Sequence, residues 1–233
     1  MTDEFDNAEF AENHAASTLR ELALSSPELG QAVNDNARDI RAAIADAVAI
    51  PRKLEADIAE LNKTRDLLPV AGAKRLRGEL IAGAVARGKE VDRTIATTIE
   101  ATRENLVTGA LPRVAQDREA LARDELRVAF GNSTGDAAAA TAIALAQSGN
   151  REIVAALSTS FGRTLLESRG LAGRDLAETF ATMRKVAAHS ALEHSTDVGE
   201  VLAAKALQKL DALGAARGAA GMALHRAVER ARR

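Results

Sequence analysis

The sequence predicts an all-α protein: long antiparallel helices of coiled-coil character, followed by a smaller helical bundle. Three observations point there. Apolar residues between positions 33 and 68 recur at alternating steps of four and three, the seam spacing of a coiled coil or a long bundle helix. No run of alternating β-branched residues competes with that periodicity. The apolar content is 46 %, yet five phenylalanines, at 5, 10, 130, 161 and 180, are the only aromatics. The core must therefore be built from alanine, leucine, valine and isoleucine. Small side chains each bury little surface, which suits thin cores between closely packed helices. A length of 233 residues allows one domain or two.

Taken in order, residues 1–16 read as an acidic, mobile or marginally helical arm with Phe5 and Phe10 as anchors, and 17–24 as a short helix. In "SSPELG", residues 25–30, a serine cap and Pro27 at a first helical position mark a fresh start. The seam then runs through Val33, Ala37, Ile40, Ile44, Ala47, Pro51, Leu54, Ile58, Leu61, Arg65 and Leu68. Proline has no amide to donate, so Pro51 is expected to kink or split this helix. If it only kinks, the helix is roughly 50 Å long. Leu68-Pro69 closes it, because the residue before proline avoids helical geometry.

A second long helix is expected from about 72 to 107, with Leu76, Leu80, Val91, Ile95, Ile99 and Leu106 on or beside its buried face. Gly78, Gly83 and Gly88 weaken it and mark either close helix contact or flexibility. "TGALP" at 108–112 separates it from a third helix over 112–130. "GNSTGD" at 131–136 is the densest cluster of turn formers, so the chain divides into a long-helix region, 17–130, and a smaller bundle, 131–233. Within that bundle, helices are expected near 136–147, 151–168, 174–194 and 198–231. Asp197 and Glu200 make a variant capping box before the last.

Composition excludes several classes. With no cysteine there are no disulfides, thiolate metal sites or cysteine nucleophiles. The first thirty residues lack the basic start and apolar run of a secretory signal, and no apolar stretch approaches the roughly 20 residues needed to span a bilayer. The expected location is the cytoplasm or a particle assembled there, with no membrane partner. The net charge of −2 hides a polarity: residues 1–30 carry −6 and residues 201–233 carry +5. Oppositely charged ends suit protein partners, including further copies of the chain. The same pattern also arises without a partner, because acids favour helix starts and bases helix ends.

No catalytic, cofactor or metal site is predicted. "GNSTG" fits G-x-S-x-G with Ser133 as nucleophile, Asp175 as acid and His189, His194 or His225 as base. That motif requires a strand entering the turn, whereas "ALARDELRVAF" enters it as a helix. His189 and His194 are five residues apart, too far round a helix to share a metal, and His189 with Glu193 supplies two ligands at most. No phosphate-binding loop occurs, and Lys74, Arg75 and Arg77 read as a solvated face balanced by nearby acids.

The C-terminal "LGAARGAAGMALHRAVERARR", residues 213–233, is the expected partner-binding element. Gly214, Gly218 and Gly221 share a helical face that would let another backbone approach, with Leu210, Leu224 and Val228 on the same side. Arg226, Arg230, Arg232 and Arg233 form a basic tip that would dock on an acidic protein surface. Nucleic acid is the alternative partner of this tip, although no aromatic is interleaved for base stacking. The seam residues Val33, Ile40, Ile44, Leu54, Ile58, Leu61 and Leu68 are expected to hold helices or protomers together.

The stretches "DLLPVAGAKRLRGELIAGAVARG" and "LVTGALPRVAQDREALARDELRVAF", within residues 66–130, resemble small helical proteins encoded in the structural gene modules of tailed bacteriophages. The likeness lies in alanine- and arginine-rich helices broken at Leu-Pro steps, few aromatics and no cysteine; it carries no functional residue. It implies a virion or assembly role, such as a scaffolding, internal or connector component. In scaffolding proteins a basic C-terminal part docks on the coat protein, which matches the charge polarity here. The glycine- and alanine-rich second half departs from a scaffold rod. The expected function is thus a non-enzymatic structural, assembly or interaction protein acting through helix faces and charged ends.

Overall fold

Helical periodicity carries through to the structure. The computed structural model describes residues 3–25, 28–64 and 68–233, with side chains from residue 10 onward except 23–25. Among these residues the chain forms nine helices and no strand: α1 Asp3–Ser25, α2 Gln31–Lys63, α3 Val70–Ala110, α4 Gln116–Phe130, α5 Gly135–Gln147, α6 Arg151–Leu157, α7 Ser160–Ser168, α8 Gly173–His194 and α9 Val198–Arg232. The protein is all-α. The expected anchor Phe5, the cap at Ser26-Pro27 and the seam position Arg65 lie outside the described residues or side chains.

Two compact units divide the chain, one of Met1–Thr102 with Lys209–Arg233, the other of Arg103–Gln208. The turn at 131–136, where the sequence suggests the boundary, falls inside the second unit.

The first unit is a four-helix bundle whose directions follow from its side-chain pairs. Between α2 and α3, Asn62 accepts from Arg77 at 2.7 Å and Asp46 pairs with Arg87 at 3.3 Å, so the two run antiparallel. Between α3 and α9, Arg217 makes two hydrogen bonds to Asp92, at 2.5 and 2.8 Å, and Leu224 reaches Gly88, again antiparallel. Ala11, Val48, Ala219 and Ala220 form one core cluster. Further along, Glu55 pairs with Arg230 and Glu21 with Lys209. These levels make α9 parallel to α2 and antiparallel to α1, an up-down-up-down bundle. Its fourth helix is the last in the chain, and the acidic N-terminal and basic C-terminal segments belong to one bundle.

The seam of α2 is buried as its spacing predicts. Val33, Ala37, Ile40, Ile44, Val48, Pro51 and Leu54 face the core. Val48 takes the place expected of Ala47, which is only partly buried against the core. Pro51 does not split the helix: α2 continues through it for 33 residues, about 50 Å at 1.5 Å per residue. Beyond Leu54 the seam loosens, and Ile58, Leu61 and Leu68 are half-buried.

The N-terminal segment is not an arm. Residues 3–25 form one helix, with Ala11, Ala15, Thr18, Leu19 and Leu22 buried. Alanine at 11 and 15 lets this helix sit close to its neighbours, and Phe10 is 54 % exposed instead of anchoring it.

The second unit packs α4–α8 with the last turns of α3 and the first of α9 around Leu106, Leu126, Phe130, Leu157, Leu166, Met183 and Leu207, all fully buried. One long helix over 151–168 was the expectation; the structure breaks it into α6 and α7 at Ser158-Thr159. The Thr159 hydroxyl donates to the Ala156 carbonyl at 2.7 Å, satisfying one helix-end acceptor. After the break Gly162 comes back against the end of α6, so close that a Cβ there would lie 1.8 Å from the Leu157 carbonyl oxygen. Residues Ile153–Leu157 are buried on every side, so this corner is tightly filled. The third expected helix starts at Gln116, not 112, because residues 112–115 are non-helical.

Candidate functional site

Ser133 lies in the turn from α4 to α5, with its amide bonded to the Phe130 carbonyl at 2.7 Å. A helix enters and a helix leaves. The turn is tied down by the Gly135 amide bonding the Arg169 carbonyl at 2.9 Å and by the Arg169 guanidinium on the Gly131 carbonyl. His189 has its Nδ1 2.8 Å from the Lys185 carbonyl one turn back on α8. His194 packs its ring against Gly149 and lies 3.8 Å from the Glu193 carboxylate. The structure does not bring Ser133 and these histidines into one hydrogen-bonded arrangement. Among the described residues no three His, Asp or Glu side chains could hold a metal ion.

A different polar cluster is present that spacing alone does not reveal. Arg151, at the start of α6, makes two hydrogen bonds to Glu200 in the first turn of α9, at 2.7 and 2.8 Å. The Ser195 hydroxyl donates to the same carboxylate at 2.5 Å and accepts from Arg151 at 3.0 Å and from the Asp197 amide at 3.1 Å. Glu200 is 5 % exposed. Its amide bonds Asp197 at 3.0 Å, half of the expected capping box, but its carboxylate turns inward to Arg151. The hydrogen bond from Arg151 to Glu200 also pushes the guanidinium pKa up. This cluster lines a small cleft of about 20 Å³ with Pro112, Gly149, Ser190 and His194. Through these bonds the Ser195 hydroxyl ties the end of α8 to the first turns of α6 and α9.

The glycine face of α9 points outward. A Cβ at Gly214, Gly218 or Gly221 would meet nothing within 4 Å, while Leu213, Ala216, Ala219 and Ala220 are buried on the face turned away from them. Leu210 and Val228, at the edge of the same side, are buried; the expectation that the glycines of α9 let another backbone approach is corrected within this bundle, where alanines of α9 make the close contacts. On α3 Gly88 is such a contact, where a Cβ would lie 2.2 Å from Leu224, and at Gly109 one would lie 3.3 Å from the Ala203 Cβ, whereas Gly78 and Gly83 face open space. The basic tip is half engaged. Arg230 pairs with Glu55 and Arg232 with Glu229 at 2.8 Å. Arg226 and Arg233 are exposed and have no side-chain partner among the described residues. Of the α3 cluster, Arg75 pairs with Glu79 at 3.6 Å and Arg77 bonds Asn62.

An open groove of about 480 Å³ lies between α2 and α3 in the first unit. Ile50, Leu54, Leu61, Leu76 and Leu80 line it, with Gly83 and Ala84 keeping one wall low and Lys53, Asp57, Glu79 and Arg87 on its rim.

Asp92 on α3 is paired with Arg217 on α9. Hydrogen bonds from Arg217 hold its carboxyl below the usual carboxylate range. A depressed folded value adds stability above roughly pH 4, lost as pH falls through that folded value. Both side chains are substantially exposed, 39 % and 51 %, so the contribution is below about 1 kcal/mol. Asp92→Asn is expected to remove that part of the acid-side slope in urea midpoints measured from pH 6 downward while leaving other slopes unchanged.

No protein-family model matches the chain, and neither does any curated protein or solved structure. Among the described residues no helix is long and apolar enough to cross a membrane.

Proposed function

We propose that this is a non-enzymatic structural or interaction protein working through its helix faces, in its most specific form a virion, scaffolding or connector component of a tailed bacteriophage, placed in the cytoplasm or in a particle assembled there. The α2–α3 groove carries the reading: five leucine and isoleucine side chains line an open channel on a bundle whose main seam is already buried. Grooves of this kind accept the apolar face of a helix. The polar clusters agree, since Arg151, Ser195 and Glu200 are bound to one another between helix ends.

The phage assignment rests on the alanine- and arginine-rich texture of residues 66–130. Docking through the basic tip is narrowed to Arg226 and Arg233. The nucleic-acid alternative relies on the same two arginines, and two phosphate contacts give weak binding with a shallow salt dependence.

A photoreactive phenylalanine analogue in place of exposed Glu79, irradiated in the source cells, tests the reading. The expected result is a covalent adduct to a defined polypeptide. No polypeptide adduct at Glu79, together with duplex DNA binding that disappears when residues 226–233 are removed, would overturn it in favour of the nucleic-acid alternative.

A further inference from the structure

The groove has a pattern that points to its occupant. On α2 its positions are Ile50, Leu54, Asp57 and Leu61; on α3 they are Leu76, Leu80, Gly83 and Arg87. Both sets step by four, three and four, the spacing of a helix seam; Leu54 and Leu80 in them also reach the bundle core, while Ile50, Leu61 and Leu76 stay half-buried beside it. A seam of this spacing is completed by other helices lying along it.

The charges on α2 are self-complementary. Lys53 and Asp57 stand four residues apart on the rim, and neither has a side-chain partner among the described residues. Arg87 and Glu79, across the groove, are already paired with Asp46 and Arg75. The unpaired set on the rim is thus one cation and one anion on a single helix.

We infer that the groove is completed by a second copy of the chain, its α2 laid antiparallel across a two-fold axis near residue 55. The inference rests on the interaction reading above and names its partner. That axis places Lys53 of each copy opposite Asp57 of the other and Ile50 opposite Leu61, so each pair occurs twice. The Lys53 stem covers apolar surface while its ammonium reaches the carboxylate. Leu76 and Leu80 close the sides. An interface of this form is isologous: one patch serves both copies, and a lysine and aspartate spaced to meet under the two-fold are what such a patch requires. A foreign helix would need its own matching charges, whereas a second copy already has them.

The test is sedimentation equilibrium of the full chain across a concentration series, with Lys53→Asp, Asp57→Lys and the double exchange Lys53→Asp/Asp57→Lys. Both positions are on the rim, and thermal melts of each variant check that the fold is kept. The wild type is expected to dimerise reversibly. Each single exchange places like charges opposite one another twice and is expected to weaken dimerisation about tenfold or more, while the double exchange restores it. A wild type that stays monomeric at every concentration, single exchanges that leave the dimer unchanged, or a double exchange that fails to recover it would each overturn the second-copy assignment. A monomer that still yields a polypeptide adduct from Glu79 removes the second copy but leaves the interaction reading standing. A monomer without that adduct removes both.

Discussion

Ile44→Asp is expected to destabilise the first unit by about 4 kcal/mol or more, enough to unfold a domain of ordinary stability. Ile44 is 1 % exposed and sits mid-seam on α2. The substitution removes a packed aliphatic side chain, worth about 2–5 kcal/mol when truncated, and leaves a carboxyl where no partner awaits it. Such a group stays protonated or drags water inward, and either adds several kcal/mol. An aspartate at neighbouring Ala45, which is exposed, should shift stability by no more than about 0.5 kcal/mol. Urea unfolding followed by far-ultraviolet circular dichroism separates the two. An unchanged midpoint for Ile44→Asp would contradict the seam.

Gly162→Ala is the second large effect, and its sign runs against helix propensity. Alanine in an exposed helix position usually gains up to about 1 kcal/mol over glycine. At Gly162 the new Cβ would stand 1.8 Å from the Leu157 carbonyl oxygen and 2.5 Å from its carbon, both backbone atoms. Neither can rotate away, so α6 and α7 must part, and Ile153–Leu157 of α6 are buried. Overpacking of this kind costs about 1–3 kcal/mol and occasionally more. A net loss of about 2–3 kcal/mol is expected, some 10–15 °C in Tm for a unit of this size. Gly218→Ala is the matched control: its Cβ meets nothing within 4 Å and the site is exposed, so Tm should rise slightly. A rise for both would show that the α6–α7 corner has room to relax.

The parts of this fold that could be read from sequence are those held by large aliphatic side chains. From Val33 to Leu54 the four-three spacing predicts the buried face of α2 with one displacement, Ala47 to Val48. The N-terminal helix is hidden because Ala11 and Ala15 carry its buried stripe, and alanine looks alike on a buried and an exposed face. The glycines of α9 mislead for a related reason: a small-residue stripe marks either a close contact or an open surface, and only the alanines beside it decide which. The division into units is invisible because it falls at Thr102 and Arg103 within α3 and at Gln208 and Lys209 within α9, where no turn former stands. Arg151 and Glu200 are 49 residues apart and meet only through the packing of their helices. The groove was half legible: Leu54 and Leu61 belong to the predicted seam and Leu76 and Leu80 to the predicted face of α3, but their joining depends on the antiparallel register.

We propose the α2–α3 groove as the working surface of this protein. Hydrogen exchange of the full chain, compared between its assembled and dilute free states, tests it most directly. Slowed exchange confined to peptides covering 50–61 and 76–87 is the predicted result. Unchanged exchange there, with protection instead around 131–135 or 189–200, would move the working surface to the second unit and contradict the account.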